Sequence, residues 1–138
     1  MSITWNDKLE TGIPIIDEQH QFIIEALSEI RISKLKKAEL FQLLIDLQTY
    51  LSNHFDIEEK YMIETNYPEY AIHKADHDKV LKDTKNILTQ NNADARPSEI
   101  ALELVNYMQN WFIEHYSSID TKMADYLKQH IGKINNSI

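Results

Sequence analysis

The chain has 138 residues and a formal net charge of −8, a length that predicts one domain over residues 1–138 with a buried core. The acidic balance disfavours nucleic acid and anionic membrane surfaces, which call for clustered Lys and Arg. The absence of cysteine excludes disulfides, thiolate sites and iron–sulfur clusters, and two glycines leave no room for a Gly-rich phosphate loop.

Taken in chain order, the first residues, MSITWNDKLETG, lack the basic start and apolar stretch of a signal peptide. No later apolar run approaches the roughly 20 residues of a membrane span, so a soluble cytoplasmic protein is expected. Gly12 and Pro14 belong to an extended N-terminal arm. Asp17 can cap a first helix reaching about Leu35, with Phe22, Ile23, Ala26, Leu27 and Ile30 at core spacing. A second helix, about Ala38 to Glu64, carries Leu40, Leu43, Leu44, Leu47, Tyr50 and Leu51 on one stripe. The turn TNYP leads to a third, about Glu69 to Thr89, with Ile72, Ala75, Val80, Leu81, Ile87 and Leu88 apolar. After the loop QNNADARPS, Pro97 suits the first turn of a fourth helix running to about Tyr116. Ser117 and Ser118 interrupt it, and a shorter helix spans Ile119 to about His130. The fold class expected is all-α: an up-down-up-down antiparallel four-helix bundle with an N-terminal arm and a short C-terminal helix.

Six histidines are distributed over that scheme. His20 lies near the start of helix one and His54 near the end of helix two. His73 and His77 lie near the start of helix three and His115 near the end of helix four. Each chain reversal therefore returns a histidine to the same end of the bundle, as a buried metal site requires. The pair in HKADH stands like the zinc-protease H-E-x-x-H, but Lys74 occupies the place of the catalytic glutamate, so a protease is not indicated. Glu58 follows His54 by one turn, so both can face one interior point. Asp120 follows His115 by five residues, about 140° away on a regular α-helix. Spacing alone thus leaves two alternatives: a backbone that departs from α geometry near Ser117–Ser118, or Asp120 at the surface. Five imidazoles and two carboxylates are too many for one tetrahedral zinc and suit two six-coordinate ions, iron ahead of manganese. The Glu-x-x-His pairs of ferritin-like di-iron proteins are absent.

The stretches WNDKLETGIPIIDEQH (5–20), HFDIEEKYM (54–62), YPEYAIHKADH (67–77) and WFIEHYSSID (111–120) resemble the bacterial hemerythrins, in a match from about Thr4 to Met123. All seven metal-ligand positions of that family are filled, with the spacings H-x3-E, H-x3-H and H-x4-D. The resemblance implies two iron ions joined by an oxo or hydroxo group. His73, His77 and His115 would hold one, His20 and His54 the other, and Glu58 and Asp120 would bridge them. It further implies a non-enzymatic monomer that binds dioxygen reversibly at the iron of His20 and His54. The alternative class on the same ligands is a di-iron peroxidase, oxidase or nitric-oxide-processing enzyme, or a sensor. Phe55, Ile119, Ile23, Trp111 and Phe112 are candidate pocket walls. Two residues depart from the family's usual pattern: Phe112, where an aliphatic side chain is common, and Tyr116, where isoleucine is common. A phenol at Tyr116 could serve as hydrogen-bond or electron donor and so tip the protein toward the enzyme class. His130 has no counterpart in the motif and is assigned to the surface.

Overall fold

A computed structural model of the protein describes residues 5–32, 37–89 and 97–130. Its helices are α1 (Pro14–Ile32), α2 (Lys37–Glu64), α3 (Tyr70–Leu88), α4 (Pro97–His115) and α5 (Thr121–Lys128). A 3₁₀ turn, Asp7–Leu9, precedes α1, a π-helical turn, Tyr116–Asp120, joins α4 to α5, and no strand occurs among the described residues. α1 packs on α2, α2 on α3, α3 on α4, and α4 back on α1. The bundle expected from the sequence is therefore the one observed. The expected end of helix one at Leu35 and most of the QNNADARPS loop lie outside the described residues.

The start of α1 differs from the expectation. Pro14 is already helical, and the first intrahelical bond runs from Asp17 N–H to the Ile13 carbonyl at 3.0 Å. Proline suits that first position because its missing N–H would have no helical partner there. Asp17 is not the cap: it sits in the first turn and reaches backwards. Its carboxylate accepts from the Thr11 N–H (2.7 Å), the Thr11 hydroxyl (2.7 Å) and the Gly12 N–H (3.2 Å). These bonds fasten the arm to the helix it precedes. Gly12 has φ +88°, a conformation that calls for glycine, and a Cβ there would stand 3.1 Å from the flexible Lys128 side chain.

α2 ends in a Schellman arrangement. Asn66 takes the left-handed conformation (φ 56°), Tyr67 N–H reaches the Met62 carbonyl at 2.9 Å, and Asn66 N–H reaches that of Ile63 at 3.2 Å. The Tyr126 hydroxyl of α5 donates to the Thr65 carbonyl at 2.5 Å, so the short C-terminal helix braces this turn.

The apolar stripe is largely right for α2, where Leu43 and Tyr50 are half-buried, and only partly right elsewhere. Leu40, Leu44, Leu47 and Leu51 are buried, as are Ile23, Leu27 and Ile30 on α1, but Phe22 is 49% exposed. On α3 the expected Ile72 is 63% exposed and Ala75 is exposed as well. The inward positions are instead His73, His77, Val80, Thr84 and Ile87. Histidines hold the core-facing places in the first half of this helix, which displaces its apolar residues outward.

Two apolar clusters result. The larger runs through Leu27, Leu44, Leu51, Phe55, Val80, Leu104 and Met108. The smaller gathers Ile13, Ile16, Tyr61, Met62, Tyr67, Met123 and Leu127 around the arm and α5. On α1 the order is Ile16, His20, Ile23; on α2 it is Leu51, His54, Glu58, Met62. The polar cluster thus lies between two dry cores, and the arm and α5 close the end at which the histidines were expected.

Candidate metal centre

Within α1–α4 each helix brings its polar side chains to this level. His20, His54, Glu58, His73, His77, His115 and Asp120 are each at most 3% exposed. Asp120 arrives through the π-helical turn. One π turn takes more residues than an α turn, so a five-residue offset returns to the same face. His115 Nε2 and Asp120 Oδ1 are 2.8 Å apart. Of the two alternatives left by the spacing, the non-α backbone is the one found.

The two carboxylates divide their oxygens. Glu58 Oε1 lies 3.4 Å from His73 Nε2 and 3.1 Å from His77 Nε2. Its Oε2 lies 3.3 Å from His20 Nε2 and 2.9 Å from His54 Nε2. Asp120 behaves alike: Oδ1 faces His73 (3.1 Å) and His115 (2.8 Å), while Oδ2 faces His20 (3.4 Å). Two groups able to hold a cation follow, one of Glu58, His73, His77, His115 and Asp120, the other of His20, His54 and Glu58. Glu58 Oε1, Asp120 Oδ1 and the Nε2 atoms of His73, His77 and His115 are buried without an aligned hydrogen bond. Buried polar atoms left so are costly, and donor atoms aimed at a common centre fit cations there.

The electrostatics agree. Burial would raise the pKa of Glu58 and of Asp120, yet the surrounding imidazoles hold both well below the ordinary carboxylate range. Burial would lower His115, but Asp120, with Asp76 and Glu58, lifts it to about 10. Against the same burial, Glu58 and Asp120 raise His20 and His73. For His54, burial wins and its pKa is lowered.

The family model for the hemerythrin HHE cation binding domain matches residues 11–127. The chain belongs to the hemerythrin family. It is 29% identical to a bacteriohemerythrin of Stenotrophomonas maltophilia over 133 residues, 95% of this chain and 85% of that protein. It is 28% identical to one of Aquifex aeolicus, over 92% of this chain and 98% of the other. A crystal structure of a leucine-to-phenylalanine mutant has the same fold, with a TM-score of 0.75 at 24% identity, covering 91% of this chain and 96% of that one.

Around this hemerythrin-type cluster stand residues that sequence reasoning passed over. His54 Nδ1 meets Gln19 Oε1 at 2.7 Å, His77 Nδ1 meets Glu59 Oε2 at 2.9 Å, and His115 Nδ1 meets Asp76 Oδ2 at 2.5 Å. A signal was available: each of the three adjoins a cluster residue in sequence, Gln19 beside His20, Glu59 beside Glu58 and Asp76 beside His77. Two rings are clamped by stacking, Phe55 on His77 (centroids 3.8 Å, 7° between planes) and Trp111 on His115 (4.3 Å, 19°).

Beside His20 and His54 lies a cavity of about 10 Å³ walled by Ile23, Leu51, Phe55, Trp111 and Phe112. Four of the five expected wall residues are among these. Ile119 is not; it lines a separate depression on the His73 side, with Tyr67, Glu69 and Lys122. Phe112 is buried and sets its ring edge-on to His20, with centroids 5.2 Å apart. Tyr116 sets its ring edge-on to His20, with centroids 6.4 Å apart, while its hydroxyl donates to the Lys8 carbonyl (3.0 Å) and the Glu10 carbonyl (3.2 Å). His130 lies apart from the cluster, half-buried and stacked on Tyr126 at 4.3 Å. Among the described residues, no helix is long and apolar enough to cross a membrane.

Proposed function

We propose that His20, His54, Glu58, His73, His77, His115 and Asp120 hold two iron ions and that the protein binds dioxygen reversibly at the ion on His20 and His54. The observation that carries this reading is the division of Glu58 and Asp120, each offering one oxygen to each histidine group. Such carboxylates suit two cations side by side, and a single tetrahedral zinc would leave three of the seven donors unused. Imidazole nitrogen mixed with carboxylate oxygen fits iron better than the all-oxygen shells of magnesium or calcium. When bound, a pair of ferrous ions supplies two electrons that dioxygen can take up and return.

The rest falls to the chain. His73, His77, His115 and one oxygen from each carboxylate make five donors; His20, His54 and the remaining oxygens make four. The exchangeable position therefore belongs to the two-histidine side, where the apolar cavity of about 10 Å³ lies. That volume is near the lower limit for one water, so it excludes an organic substrate. Apart from the cluster residues, its walls are the apolar side chains of Ile23, Leu51, Phe55, Trp111 and Phe112. Apart from members of the cluster, no acid or base is among the residues that line it. Tyr116, the feature that could have favoured turnover, spends its hydroxyl on the arm. Both observations support carriage over catalysis.

Anaerobic reduction of the iron-loaded protein followed by air should produce a visible absorption that vanishes under vacuum, with two irons per chain by metal analysis. One zinc per chain would overturn the di-iron centre. An absorption that decays in seconds while an added donor is oxidised would keep the iron and replace carriage with an enzyme.

A further inference from the structure

We infer that Gln19, Glu59 and Asp76 are positioning residues that make the two metal positions unequal, so that the ion on His20 and His54 leaves first and the ion on His73, His77 and His115 is retained. The inference rests on the two-ion reading above.

The outer partners follow a rule. Gln19 on α1 reaches His54 on α2, Glu59 on α2 reaches His77 on α3, and Asp76 on α3 reaches His115 on α4. Each supporter adjoins a cluster residue on its own helix and braces a histidine on the next. The fourth step, from α4 back to α1, is missing. Tyr116, which adjoins His115, bonds the arm at Lys8 and Glu10, and His20 Nδ1 is buried with no hydrogen-bond partner. The series therefore breaks at His20, on the two-histidine side.

The kind of support differs too. A carboxylate accepts only, so it fixes the Nδ1 proton outward and the Nε2 lone pair inward. Its charge makes the ring a stronger donor and compensates part of a cation's charge through the imidazole. His77 and His115 have this support, and the stacked rings of Phe55 and Trp111 hold them in place. His73 Nδ1 has no hydrogen-bond partner. On the other side, His54 Nδ1 has the neutral amide of Gln19 and His20 Nδ1 has no hydrogen-bond partner. Two anionic supports and five donors thus stand against one neutral support and four donors. Lys74, in the middle of HKADH, lies 3.6 Å from Glu59 and 3.1 Å from Asp78, which steadies Glu59 over His77.

The test is iron release. The full chain, loaded with Fe(II) and kept anaerobic, is mixed with excess of a coloured ferrous chelator, and absorbance is followed. Two phases of one iron each are expected. Glu59→Gln and Asp76→Asn should speed the slow phase by about 10- to 100-fold, the usual effect of losing an outer partner, and leave the fast phase nearly unchanged. Gln19→Glu should do the reverse and slow the fast phase, an outcome that damage to the fold would not give. Release of two irons in one phase from the unmodified protein would overturn the inference, as would variants that shift both phases alike. A total other than two irons per chain would instead refute the two-ion reading itself.

Discussion

In the metal-free protein, His115 is the imidazole that a cation must strip of a proton. Burial alone would lower its pKa, but Asp120 at 2.8 Å from Nε2 and Asp76 at 2.5 Å from Nδ1 outweigh burial and lift it from 6.5 to about 10. That difference corresponds to roughly 5 kcal/mol. At pH 7 the ring is protonated before the metal enters and neutral afterwards, so about 10³-fold of affinity is spent removing this proton. The sign follows: affinity should rise about tenfold per pH unit from 7 towards 10 through His115 alone, and more steeply where His20 and His73, also raised, still carry protons. Calorimetric titration of the metal-free chain with Co(II) in two buffers of different protonation enthalpy counts the protons released. At least one per pair of ions is expected, and Asp76→Asn should reduce it. The same linkage acts on stability without metal. The contribution of His115 is complete below about pH 6.5 and lost as pH rises through about 10. Those of Glu58 and Asp120, whose pKa values are depressed, are present above the ordinary carboxylate range and lost as acid takes pH below it. A titration without proton release and an affinity flat between pH 7 and 9 would refute this account of the cluster.

Gly12→Ala should lower stability by about 1–2 kcal/mol, because its φ of +88° is disfavoured for alanine and the new methyl crowds Lys128; a thermal melt reads this, with iron content unchanged. Tyr116→Phe should lose about 1 kcal/mol through its two bonds to the arm and leave the visible absorption and oxygen release untouched; a changed oxygen release rate would give the phenol a part at the site. Deleting Ser118 should convert the π-helical turn to α geometry and keep two irons per chain, because the remaining four-residue spacing puts His115 and the aspartate on one face of a regular helix. Loss of one or both irons would show that the extra residue sets the depth of Asp120 as well as its direction.

Much of the fold was legible because its signals are local: Pro97 at a helix start, the leucine stripe of α2, the TNYP turn. The misread stripe of α3 has one cause. Reading a stripe from apolar residues assumes that the inward face is apolar, and on α3 it is not. Ile72 and Ala75 join the stripe only when it is drawn through apolar residues alone and not through the inward His73 and His77, which continue the spacing of Val80, Thr84 and Ile87. Counting candidate ligands as core before reading the stripe would have set the register correctly. The outer partners are harder to find. Gln19, Glu59 and Asp76 look like ordinary surface polar residues until the helices are placed, since each acts on a different helix from its own.

The π-helical turn had a signal that five-residue spacing alone did not exhaust. On α4 the buried positions run Leu104, Met108, Phe112 and His115, and a regular helix would continue them at Ile119, Lys122 and Tyr126. The buried residues beyond the junction are Asp120, Met123, Ala124 and Leu127. Asp120, Met123 and Leu127 each stand one position beyond the continued series, which is what one extra residue in a helix produces. Had the offset belonged to Asp120 alone, a surface aspartate would have explained it. Met123 and Leu127 share it, and they are needed in the small core that seals the cluster from below. The same inserted residue thus turns the aspartate inward and sets the helix that closes the site.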